Sequence, residues 1–319
     1  MCSPRIIRKT IPRFAERAWD CRLWKLAAVG WCLLCPALPA ARSADAAAAP
    51  PGAEKYLLRY RFRPGEILCW NVVHCCQIRT VAAGSEQTAD TATASVKVWR
   101  VQAVRPDGAA TLEHSVKDID MRHRLTGRDE VHYNSRTDLH APPGFEDIAR
   151  AVGVPLCTVT IDAQGKVLAR QQNPVKAAVP GHGEITVRLP KEPIAVGQSW
   201  SFPSDIELPR PQGGVRRIEA RQSFTLQSVK TGVAVIRMAT QILTPVHDPA
   251  LQSQLLQYEA AGTARLDIEA GRLLAQQSDV DKGVVGFRGE ASSIHYRSRS
   301  TEEFLPAEAR VAARAAAGN

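Results

Sequence analysis

The sequence predicts a mainly β protein: two similar lobes of curved antiparallel sheet, each with one short crossover helix, behind an N-terminal leader. Three observations lead there. Apolar and polar residues alternate with period two over many short runs, the pattern of half-buried strands. Pro-Gly, Asp-Gly and Gln-Gly turns punctuate those runs. The same elements then return in the same order in the second half of the chain.

The leader comes first. Residues 1–25 hold seven cations against Glu16 and Asp20, and residues 26–40 read LAAVGWCLLCPALPA. Residues 41–53, ARSADAAAAPPGA, are small and proline-bearing. A positive head, a short apolar run and a small-residue exit are the layout of a secretory signal, with cleavage after Ala40 or Ser43. The chain is then exported across the inner membrane, periplasmic or extracellular. The alternative is an inner-membrane anchor over residues 26–40, although that run is shorter than the roughly 20 residues a spanning helix needs. Leu34 and Trp31, which precede Cys35 and Cys32, are too large to stand before an acylated cysteine.

Charge follows the leader. The 41 Lys/Arg and 32 Asp/Glu give +9. Residues 1–44 take eight of those bases and two of those acids, leaving 33 against 30, a net of +3. Long-range attraction to polyanions mostly leaves with the leader, so no nucleic-acid partner is expected.

About 275 residues remain, enough for one large β domain or two smaller ones. YLLRYRFRPGE (56–66) places Tyr56, Leu58, Tyr60 and Phe62 on one face of a half-buried strand and arginines on the other. CWNVVHCCQ (69–77) alternates Trp70, Val72, His74 and Cys76 with Cys69, Asn71, Val73 and Cys75. SVKVWRVQAV (95–104) leads through Arg105-Pro-Asp-Gly108 into a return strand over 109–121, with Leu112, His114, Val116, Asp118 and Asp120 on one face. A helix over 143–153 and a strand–turn–strand over 158–170 follow.

The second half repeats these pieces. FTLQSVKTG (224–232) parallels WRVQAVRPDG (99–108), and IEAGRLLAQQ (268–277) parallels IDAQGKVLARQQ (161–172). A helix is predicted over 248–262, with Asp248 at the cap, Pro249 in the first turn and Gly262 at the exit. The organisation expected is a leader over 1–44, an Ala/Pro linker over 45–54 and a β lobe over 55–170. A connector over 171–192, a second lobe over 193–304 and a tail over 305–319 complete it.

YLLRYRFRPGE, VWRVQAVRPDG and VTIDAQGKVL together resemble a bacterial family of exported proteins with a domain of unknown function, over most of residues 56–304. The shared motifs are structural turns, and the resemblance implies no catalytic residues. A looser fold analogy is to periplasmic lipoprotein carriers, which hold acyl chains in a concave sheet; analogy of fold does not set function.

Chemistry-bearing patterns are sparse. None of the eight histidines lies in HExxH. His114, Asp118 and Asp120 share a predicted face and come nearest to a metal set, against the competing assignment of a solvated face. Asp279-Val-Asp281 lacks the glycine and distal glutamate of the common calcium loop. There is no G-x-S-x-G elbow, and GHGEIT (181–186) lacks the third glycine of a phosphate loop. The sequence therefore nominates no catalytic residue, no metal ligand and no cofactor.

The Tyr56/Leu58/Tyr60/Phe62 face and the Trp70/Val72 face are the candidates to line an apolar groove, with an ordinary core as the competing assignment. Beyond the leader the cysteines are Cys69, Cys75, Cys76 and Cys157. Strand alternation keeps the first three apart, so at most one bridge is foreseen, from Cys157 to one of Cys69, Cys75 or Cys76. The function expected is a noncatalytic exported protein that binds an envelope protein or an apolar small molecule or lipid. Membrane contact is expected only through an uncleaved leader. The alternative is a periplasmic hydrolase with an unrecognised site.

Overall fold

The computed structural model describes residues 54–173, 187–210 and 213–306. The expected leader, nearly all of the linker, GHGEIT, most of the connector and the tail beyond 306 lie outside the described residues. The described residues fall in one compact unit.

The class is mainly β. In chain order the elements are β1 (Lys55–Tyr56), β2 (Ile67–Ala82), β3 (Ser85–Val104), β4 (Ala110–Leu125), β5 (Val131–Asn134) and α1 (Glu146–Ala151). Next come β6 (Pro155–Ile161), β7 (Val167–Gln172), β8 (Ile194–Ala195), β9 (Ser199–Pro209), β10 (Val215–Lys230) and β11 (Val233–Ile242). Then α2 (Pro249–Leu255) runs into a 3-10 turn (Leu256–Tyr258), followed by β12 (Ala261–Asp267), β13 (Arg272–Val285) and β14 (Ser293–Phe304).

Twelve strands form one antiparallel sheet in the order β7-β6-β4-β3-β2-β14-β13-β12-β11-β10-β9, with β5 on β4. Short turns explain most of it. Ala83 and Gly84 between β2 and β3 both take positive φ, 49° and 75°, the two-residue geometry that matches strand twist. The last strand then returns to the first: β14 pairs with β2 from Ser293↔Val81 to Phe304↔Trp70, so the two halves are continuous through that seam.

Bulges fall at matching places in the two halves. An extra residue, Gln102 in β3 and Gln227 in β10, interrupts pairing just after Val101 and Leu226. Another, Leu168 in β7 and Leu274 in β13, follows the β6–β7 and β12–β13 turns.

Residues 57–63 depart from the expected strand. Only Lys55–Tyr56 joins a ladder, with β8. Leu58 and Tyr60 are nonetheless buried between more exposed neighbours, because alternate burial needs an extended chain and not a ladder partner. The amide of Tyr60 donates to Ala163 O in the β6–β7 turn at 2.8 Å, and that of Arg61 to Gly271 O in the β12–β13 turn at 2.9 Å. Six strand spacings separate β6 from β12, about 29 Å in a flat sheet. Adjacent amides reach both turns, so the sheet curls at this end and the segment lies across its mouth.

The concave face is packed there. Leu58, Tyr60, Leu189 and Ile194 meet Leu226, Ile236 and Leu266 from the second half. Leu68, Trp70, Val72, Trp99, Leu112 and Ile161 form the equivalent core of the first half, and Phe62 touches both. Full burial of each such side chain stabilises by about 1.5–3 kcal/mol.

Each half carries its helix over the other end of the sheet. α1 covers β4 at Val116, Ile119 and Met121. α2 packs Leu251 and Leu255 on Ile206, Leu208, Ile218 and Ala220 of β9 and β10. Asp248 caps α2 through the Ala250 amide at 2.9 Å. Gly262 is not the helix exit foreseen from the sequence but a residue of β12. A Cβ there would sit 1.9 Å from Gln277 O, so close approach of β13 requires the glycine.

Candidate functional site

Neither helix cluster includes a residue of β3, β2 or β14, the strands in the middle of the concave face, although the 3-10 turn after α2 approaches β13 and β14. Register sets what is displayed there. His74 lies between Thr93 and Ser300, Cys76 between Thr91 and Ser298, Ile78 between Ala89 and Tyr296, and Thr80 between Gln87 and Ile294. All share the face of Trp70 and Val72, because side chains two apart on a strand point the same way. Most are small or modestly polar, Ile78, Ile294 and Tyr296 excepted, and most are half-buried.

The inner end of this lane is closed by charge and aromatic rings. Lys97 sits opposite Trp70 and forms an ion pair with Glu302. Its Nζ lies 5.1 Å from the Trp70 ring and 5.5 Å from the Trp99 ring, distances at which cation–π attraction operates. Both ionised residues are buried, at 4% and 7% exposure. Trp70 Nε1 donates to Leu273 O at 3.0 Å, fixing the indole across β14.

The outer end opens into a depression of about 410 Å³ between Thr80, Gln87 and Ile294 on one side and Phe287 and Arg288 of the β13–β14 loop on the other. That volume is within the range of small-ligand sites. A second arm crosses the strands. From His74 the register runs through Ser300, Ser278 and Gly262 to Met238 and Phe224. The last two, with Gln222, Thr240, Gln276 and Ser278, line an opening of about 160 Å³. Trp200 stacks behind it on Phe224, 5.5 Å between centroids. A space of this size holds an aromatic ring or a short stretch of hydrocarbon chain.

Where the arms meet, two polar atoms are orphaned. His74 Nδ1 and the Thr93 hydroxyl are both buried and neither makes a hydrogen bond. Burial holds the His74 imidazole below its ordinary range, so the ring is neutral at neutral pH. Beside it, burial raises the Cys76 thiol and pushes the Tyr296 phenol up to about 12, with Ser298 and Cys76 in hydrogen-bonding contact with that phenol. No group in this row is poised as a charged nucleophile.

The six residues nominated from the sequence fall on the packed part of the face. Leu58, Tyr60, Trp70 and Val72 are buried, and Tyr56 and Phe62 are partly so. The space between Tyr60, Phe62, Trp70 and their neighbours is about 10 Å³, room for one water. Trp70 and Val72 stand at the closed end of the lane; Leu58, Tyr60 and Phe62 belong to the cross-mouth segment, and Tyr56 to β1. The sequence reading missed Thr93 and Ser300, small polar residues that only register brings beside His74, and Ser278, which follows Ser300 in the same row.

Two further expectations meet the geometry. His114 does not share a face with Asp118 and Asp120. Lys97 pairs with Val116 but Ser95 with Ile119, an extra residue in β4 that reverses the alternation. His114 therefore stays inside, its Nδ1 4.0 Å from Cys157 Sγ, while Asp120 faces out and pairs with His132 at 2.8 Å. Among the described residues no three His, Cys, Asp or Glu side chains gather as a metal set. The four described cysteines form no disulfide. Cys157 on β6 is three strands from β2, roughly 14 Å, beyond the Cα reach of a disulfide to Cys69, Cys75 or Cys76.

The fold and site define a class: a single curled antiparallel sheet with two short helices and a central lane on its concave face. No family model and no curated protein matches the chain. Among solved structures it is similar to lipovitellin, described for its lipid–protein interactions, at TM-score 0.42 and 11% identity, covering 77% of this chain. The chain spans 26% of that protein's length. It is also similar to DynF, from the dynemicin biosynthesis pathway of Micromonospora chersina, at TM-score 0.22 and 8% identity, covering 85% of this chain and 95% of that one. Likenesses this weak carry no argument about what this chain does.

Proposed function

We propose that this chain is an exported, noncatalytic protein, built from two duplicated halves, that binds an apolar or lipid-like ligand on its concave face. The observation that carries the reading is the 160 Å³ opening backed by Phe224 and Met238, which continues over Ser278 and Ser300 toward His74. Small residues along that row leave room for a narrow molecule, and the aromatic end offers it apolar surface. Gln222, Thr240 and Gln276 supply a polar rim. A hydrolase would need an activated nucleophile beside its base. His74 Nδ1 instead bonds to nothing, and the imidazole–carboxylate pairs His132–Asp120 and His295–Asp281 are on the outward face. The secretory layout of residues 1–40 supports export, with an uncleaved anchor as the alternative form.

Native mass spectrometry of the full chain purified from an envelope fraction, with solvent extraction of whatever it carries, tests both parts. The expected result is a polypeptide beginning after Ala40 or Ser43 with a bound apolar molecule of defined mass. A chain repeatedly free of such a molecule overturns the ligand reading. A full-length N-terminus in the membrane fraction favours the anchored form.

A further inference from the structure

Resting on that ligand reading, we infer that His74 and Thr93 hold the uncharged polar end of the ligand, a hydroxyl or carboxamide, with its apolar body extending from them over the concave face. The two residues face each other directly across β2 and β3. Thr93 is 2% exposed, yet its hydroxyl has no hydrogen-bond partner, and neither has His74 Nδ1. Buried polar atoms are almost always paired, and two orphans side by side on one face mark a place built for a third group. His74 is only half-buried, and rotation of its ring about χ2, a broad torsion, can turn Nδ1 toward the lane.

The chemistry selects the ligand end. A threonine hydroxyl both donates and accepts, a neutral imidazole nitrogen does one or the other by tautomer, and the Ser300 hydroxyl stands on the far side of His74. A hydroxyl or amide, itself donor and acceptor, matches this set. A carboxylate or ammonium does not, because a buried ion needs a counter-charge. The nearest ions on this face are already committed, Lys97 to Glu302 and Lys282 to Glu259. The position also serves both arms: about 10 Å of small residues separates His74 from Ser278 at the edge of the apolar opening.

Calorimetric titration of the full chain at pH 8 with 1-dodecanol, below its solubility limit, and with sodium dodecanoate, below its micellar concentration, tests this. Wild type should bind dodecanol about tenfold more tightly than dodecanoate, the worth of one or two hydrogen bonds against an unpaired charge. Thr93→Val should lose about tenfold for dodecanol and leave dodecanoate within roughly twofold. Without ligand its unfolding midpoint should be unchanged or higher, because the substitution removes an unpaired hydroxyl and keeps the shape. His74→Phe should show the same loss. Equal binding of dodecanol to both variants and wild type, or tighter binding of dodecanoate, overturns the assignment of the polar end alone. A lowered midpoint for unliganded Thr93→Val gives the hydroxyl a structural role and overturns it as well. Failure of wild type to bind either compound overturns the ligand reading beneath it.

Discussion

Lys97 shares the core face of β3 with Trp99 and Val101, where a sequence pattern alone would put another aliphatic side chain. It is tolerated because Glu302 reaches it across β2 from β14 and because two indoles flank it. Buried pairs of this kind stabilise little, but half of one is expensive. Glu302→Ala should therefore lower stability by about 3–5 kcal/mol in urea unfolding, while Lys97→Met with Glu302→Leu should recover most of that loss. His114 poses a different problem. Burial, then the charges of Lys97 and Arg170, hold its pKa at about 4 against an ordinary 6.5. The folded state thus prefers the neutral ring. The stability it contributes is present above pH 6.5 and is lost as pH falls toward 4, by about 3 kcal/mol in total. Urea midpoints measured across that window should fall, and His114→Leu should flatten the decline.

The short segment 57–63 closes one end of the sheet, and its backbone makes the contacts. The turn at Gly271 takes φ of 60°, and a Cβ there would lie 2.6 Å from the Arg61 nitrogen. Gly271→Ala meets both strain and a clash, and should destabilise by about 2 kcal/mol, read as a shifted urea midpoint with an unchanged slope. The alternation of YLLRYRFR identified correctly which of these side chains are inside. It could not reveal that their backbone partners are two turns from opposite halves, since a segment's period reports its faces and not its neighbours. The bulge in β4 shows the same limit. One extra residue moved Asp118 and Asp120 to the other face, and bulges leave no mark in an alternating pattern.

At the scale of the molecule, the β14–β2 seam makes both halves one hydrogen-bonded object. Among the described residues β7 and β9 end the main strand order, and β9 carries Pro203 and Pro209, which cannot donate to an added strand. A continuous sheet with a shared core should unfold as a unit. Native-state hydrogen exchange on β4 and on β11 should converge on the same opening free energy. Distinct values for the two would show lobes that open independently.

The sequence by itself determined the mainly β class, the hairpin turns, the start of both helices to within a few residues, and the inward faces of β2 and the cross-mouth segment. These are local properties, written in period-two alternation, turn glycines and a capping aspartate. The six residues it nominated lie on the inward face, but it did not distinguish core from lane, because burial on a concave face depends on what lies across it. Only the tertiary structure decided that β14 returns to β2, that Glu302 meets Lys97, and that the small polar residues Thr93 and Ser300 flank His74, with Ser278 next in the row. Those contacts join residues up to some two hundred positions apart, and their register is set by the sum of the pairings rather than by any one strand.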